Sequence, residues 1–142
     1  MTHRFIEENL VMVPLETHRL GSSVVEGKDL TPAKVKALAD AADACWSAIL
    51  AHDLQAFASA YKASFNAQIA MFSAMVNPVA YGKPCLETSV EPYIQKYSAM
   101  PGVLAWKMMG AGGGDYLALV VEDAKTFERE YEEAIELHIR RP

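Results

Sequence analysis

Four of the chain's eight glycines fall in one stretch, Lys107-Met108-Met109-Gly110-Ala111-Gly112-Gly113-Gly114-Asp115-Tyr116. Away from special backbone angles each glycine costs roughly 0.5–1 kcal/mol relative to alanine, so four together cost about 2–4 kcal/mol. That is a large share of a domain's total stability of about 5–15 kcal/mol. A plain turn needs one or two glycines. The excess points to a backbone that takes unusual angles, lets another group approach closely, or turns its amides toward an anion.

The setting of these glycines excludes three familiar signatures. The dinucleotide fingerprint and the Walker A loop each join a strand to a helix whose N-terminus holds phosphate. Here the flanks read as two strands, and Gly114 is followed by Asp115 and Tyr116 instead of Lys and Ser or Thr. A protein-kinase glycine loop does join two strands, but the catalytic-loop and metal-binding motifs that should follow it are absent from the sequence.

Other chemistry-bearing residues are scattered. Arg19 and Lys28, in a long early loop, are candidate substrate contacts that offer positive charge. His3, His18, His52 and His138 fall on different elements without ligand spacing, which reads as surface histidine and no metal site. Cys45 and Cys85 have no C-x-x-C spacing, which argues against a disulfide framework or a zinc site and fits a reducing cytosol. Cys85 lacks a histidine at hand and is read as no catalytic thiol. Trp46, Tyr61 and Phe65 read as filling the core of a helix pair.

These residues need elements to hold them. Residues 9–15 form a short apolar run ending at Pro14, read as a buried strand. Residues 16–31 are turn-rich, with one short strand expected at 23–25. Thr31 and Pro32 open a helix with Val35, Leu38, Ala42, Cys45 and Ile49 on one face, ending near His52. Asp53 caps a second helix whose stripe is Leu54, Phe57, Tyr61, Phe65, Ile69, Phe72 and Val76, stopped at Asn77-Pro78. A shorter helix is expected over 89–99, then strands over 103–109 and 115–121. Asp123 caps a last helix carrying Phe127, Tyr131, Ile135 and Ile139, with Glu128, Glu130, Glu132, Glu133 and Glu136 on a solvated face. The order β-α-α-α-β-β-α predicts an α+β, ferredoxin-like sandwich, an antiparallel sheet with helices packed on one face.

At 142 residues, 51% hydrophobic and 22% charged, the composition is that of one globular domain with one core. The formal net charge of -5, without a basic run, argues against nucleic acid as a partner. No apolar segment is long enough to span a bilayer, and a polar start argues against a leader, so the expected location is the cytoplasm.

With the elements in place, Lys-x-x-Gly-Ala-Gly-Gly-Gly followed by a hydrophobic strand and an acid-capped helix resembles the third, C-terminal motif of the GHMP kinases. The heptose and fucose kinases of that family are the most similar at this stretch. The resemblance extends over most of the chain, 1–142, which looks like the family's ferredoxin-like C-terminal lobe. It implies that Gly110, Ala111, Gly112, Gly113 and Gly114 lie against a nucleotide phosphate loop. It also implies that Lys107, ending the preceding strand, sits near the substrate or phosphate side. Asp115 stands where the family usually has another glycine, and its charge opposes direct phosphate binding.

The family's ATP loop, Pro-x-x-x-Gly-Leu-Gly-Ser-Ser, belongs to a preceding lobe. Residues 14–23 do not match it, because Arg19 replaces the first glycine and the spacing is one residue too long. The resemblance therefore implies a lobe that is inactive alone, with ATP and Mg2+ needed by the complete kinase and an N-terminal lobe and a sugar as partners. The alternative is a non-catalytic ferredoxin-like binding or dimerisation domain, a possible homodimer.

Overall fold

Capping chemistry sets the first long helix. Thr31 Oγ1 accepts from the Lys34 amide at 3.2 Å and Pro32 occupies the first turn, starting α2 (Pro32–Ala51). His52 ends it in the left-handed region at φ 54°. The Asp53 carboxylate then accepts from the Ala56 amide at 3.1 Å and opens α3 (Leu54–Met71). With two residues between them, the helices fold back on each other as a hairpin.

The computed structural model describes residues 2–15, 28–73, 76, 79–80, 83–84, 89–108 and 116–139. The strand expected over 23–25 lies outside them. Ahead of the hairpin come α1 (Thr2–Asn9) and β1 (Leu10–Pro14); after it come a small ribbon of β2 (Val79–Ala80) and β3 (Lys83–Pro84), then α4 (Glu91–Ser98). The chain continues through β4 (Val103–Met108), β5 (Tyr116–Val121), α5 (Ala124–Glu130) and β6 (Ile135–Glu136).

The architecture is the expected α+β class: a four-stranded antiparallel sheet, order β4-β5-β1-β6, with helices packed against it, consistent with a ferredoxin-like sandwich. β5 is central and buried from Leu117 to Val121. Its odd-numbered residues join Val11, Tyr97 and Phe127 in one cluster. Val120, on the opposite pleat face, meets Ala105, Phe5 and Phe57 in another. Burying a large apolar side chain contributes about 1.5–3 kcal/mol, so these two clusters hold the sheet and helices together.

Five readings of the sequence need correction. The N-terminal residues form α1, an element not expected from the sequence; it is short, and only Phe5 and Asn9 are buried from it. α3 stops at Met71, well before Asn77-Pro78, because Phe72 takes a non-helical backbone while its N–H still reaches Gln68 O. The last helix stops at Glu130: Tyr131 turns to extended angles, and Ile135 pairs with Met12 in β6. That pairing covers part of the free edge of β1. Glu133, expected on a solvated face, accepts from the Tyr97 hydroxyl at 3.3 Å.

The fifth correction concerns α2. Its buried residues are Ala41 and Ala48; of the expected stripe Leu38, Cys45 and Ile49 are half-buried, while Val35 and Ala42 are exposed. Val35 is 50% exposed and Trp46 60% exposed, so Trp46 does not fill the helix-pair core; Phe65 is buried against the sheet with Val11 and Leu119, and Tyr61 is half-buried. Small alanines let α2 approach α3 closely, which leaves the bulky residues turned away. Among the described residues no helix is long and apolar enough to cross a membrane.

Candidate functional site

The register of three strands sets the residues flanking the candidate segments at one end of the sheet. Met108 pairs with Leu117, so β4 and β5, which flank the glycine stretch in sequence, are antiparallel neighbours. Pro14, the last residue of β1 before the early segment, pairs with Tyr116, the residue that follows the glycine stretch. Gly110, Ala111, Gly112, Gly113, Gly114, Asp115 and Arg19 themselves lie outside the described residues, as do His18 and Cys85. Lys28 is exposed, and the next residue, Asp29, donates its N–H to Met71 O at 2.8 Å, which fixes Lys28 near the C-terminal end of α3.

Lys107 is the one glycine-flanking candidate whose surroundings are defined. On β4 it faces α3, where its ammonium donates to Ser64 Oγ at 2.9 Å and to Gln68 Oε1. Ser64 and Gln68 are one turn apart, so both side chains rise from the same helix face. Burial holds the Lys107 pKa below its usual 10.5, partly offset by the nearby Cys45. Among the described residues no carboxylate pairs with it. Next to it on β4, Trp106 carries the Lys62 ammonium 5.2 Å above its ring.

Beside this cluster, α2 and α3 and the α1–β1 junction enclose an apolar groove of about 360 Å3. Trp46, Ile49 and Phe57 form its walls, and Cys45, Tyr61 and Ser64 supply its polar atoms. Burial pushes the Tyr61 hydroxyl up to about 12 and raises the Cys45 thiol, so both stay protonated near neutrality. Sequence reasoning missed Ser64 and Gln68; the signal was a polar pair at i and i+4 on an otherwise apolar helix stripe. A smaller pocket of about 190 Å3 lies against Gly102, but Glu122, Asp123 and Glu130 give it an acidic rim unsuited to phosphate. Among the described residues no group of three or more His, Cys, Asp or Glu side chains is placed to hold a metal ion. No protein-family model matches the chain, and no curated protein matches it.

Proposed function

We propose that the chain is the C-terminal, substrate-side lobe of an ATP-dependent kinase acting on a sugar or sugar phosphate, of the GHMP type, and that it transfers no phosphoryl group alone. The supporting observation is the paired register Met108↔Leu117 and Pro14↔Tyr116, which sets the residues flanking the glycine stretch, and the residue after which the segment carrying Arg19 and Lys28 begins, at one sheet end. α5, capped by Asp123 through the Lys125 and Thr126 amides at 3.0 and 3.3 Å, follows β5 directly and completes the β-loop-β-α order that the motif implies.

In this reading the glycine backbone forms one wall of the phosphate site, and Arg19 and Lys28 offer charge to a sugar phosphate. Phosphoryl transfer is chiefly positioning and electrostatic stabilisation, so a wall without a phosphate cradle is inactive. ATP and Mg2+ belong to a partner lobe bearing Pro-x-x-x-Gly-Leu-Gly-Ser-Ser. The test is ATP-dependent phosphorylation of a sugar panel by the chain, alone and combined with such a lobe. Transfer only in the combination supports the reading. Failure of every combination, with neither sugar nor nucleotide bound, overturns it.

A second reading, a non-catalytic binding or dimerisation domain, is favoured by one observation: Trp46 and Leu50 lie exposed together on α2. Sedimentation that finds a monomer over a wide concentration range removes its dimeric form.

A further inference from the structure

The groove between α2 and α3 combines apolar walls with one positively biased end. Its volume of about 360 Å3 falls within the roughly 300–1,000 Å3 of small-ligand sites. None of its lining residues is acidic, in a chain whose formal charge is -5. At the polar end, Ser64 Oγ accepts from the Lys107 ammonium, which leaves the serine's own proton free to be donated into the groove. The Tyr61 hydroxyl stands one turn before it on the same helix face, a second donor held protonated. Lys107 is satisfied by two neutral side chains, so its charge is uncompensated among the described residues. In a half-buried setting that charge acts over a shorter range of water and is felt more strongly than at the surface.

We propose that this groove binds a small amphipathic carboxylate, with its apolar body against Trp46, Ile49 and Phe57 and its anionic end at the Ser64 hydroxyl, behind which the Lys107 ammonium lies 2.9 Å away. The charge complementarity selects the class: a cation has no partner there, and a neutral chain leaves the donors of Ser64 and Tyr61 without an acceptor. A ligand of this shape also covers the Trp46 indole.

The test uses the full chain with Trp106→Phe, which makes Trp46 the sole indole, titrated with octanoate and dodecanoate and with the alcohols of equal length. A saturable shift of Trp46 emission is expected with the carboxylates, at an affinity about tenfold or more above the matched alcohols, as hydrogen bonds to a charged group imply. Ser64→Ala and Lys107→Met each remove most of that preference and leave alcohol binding unchanged. Calorimetry on the unsubstituted chain gives the same carboxylate-to-alcohol comparison should a variant fail to fold. Equal affinity for octanoate and octanol, or no saturable binding of either, overturns the proposal. So does sedimentation showing a dimer that buries Trp46 and excludes the carboxylates, which assigns the groove to a second copy.

Discussion

The Lys107 ammonium donates to the Ser64 hydroxyl across 2.9 Å and so ties edge strand β4 to helix α3. The bond comes with a penalty, because burial lowers the lysine's pKa below 10.5. A base with a lowered folded pKa binds fewer protons folded than unfolded between that lowered value and 10.5. Stability therefore rises with pH through that window, and the penalty is present in full below it. Lys107→Met should lose this rise. Tyr61, with its pKa pushed up to about 12 from 10.0, acts oppositely, since the unfolded chain ionises first and stability falls above pH 10. Urea unfolding of wild type and variant at matched alkaline pH cancels the Tyr61 contribution, and parallel curves for the two proteins would contradict the burial argument.

Asn9 joins the end of α1 to the end of β5. Its Nδ2 donates to Val121 O and Glu122 O, each at 3.0 Å, and the residue is only 8% exposed. Asn9→Ala strands two carbonyls and should destabilise by about 1–3 kcal/mol. Asn9→Asp should be worse at neutral pH, because it sets a carboxylate against two acceptors. Denaturant midpoints rank the three proteins, and an aspartate variant as stable as wild type would refute the assigned donor role.

Leu119 and Trp46 should separate sharply. Leu119 sits in β5 between Val11 and Trp106 in register and is fully buried. Leu119→Ala removes core volume that the sheet cannot collapse to refill, at a cost of about 2–5 kcal/mol. Trp46→Ala, on the exposed side of α2, should shift stability by no more than about 0.5 kcal/mol. Thermal unfolding compares them directly; a large loss from Trp46→Ala in dilute solution would mean that α2 is covered by another molecule.

The same contrast explains which parts of the fold were legible in the sequence. Thr31-Pro32 and Asp53 announce α2 and α3 because capping is local chemistry, and Tyr116 to Val121 reads as a strand because its apolar run is unbroken. The facing of α2 was not legible: Ala41 and Ala42 are equally apolar, and only contact with α3 decides which is buried. Phe127, Tyr131 and Ile135 have helical spacing, yet the free edge of β1 captures Ile135 as a strand. For the groove, Tyr61 was visible as an aromatic on a helix stripe, but Lys107 meets Ser64 across 43 positions of sequence, a pairing set by tertiary packing. Gly110 to Asp115 drew attention by composition, while the neighbourhood of Lys107 came from packing alone.

Gly102 supplies a last test of how backbone angle and space divide the cost of a substitution. It holds φ at 82° in the turn before β4, and its carbonyl accepts from the Glu122 amide at 2.9 Å, closing the β4–β5 ladder at that end. An added Cβ meets only Glu122 Oε2, at 3.9 Å, so no clash opposes a side chain there. Any loss must then come from the left-handed backbone, at roughly 1–2 kcal/mol for a residue with a Cβ. Gly102→Ala should show that loss in full, whereas Gly102→Asn should recover part of it, because asparagine tolerates this region better than alanine. Chemical unfolding decides the point: if the asparagine variant is as destabilised as the alanine variant or more so, crowding at Glu122 governs this turn and the backbone argument fails.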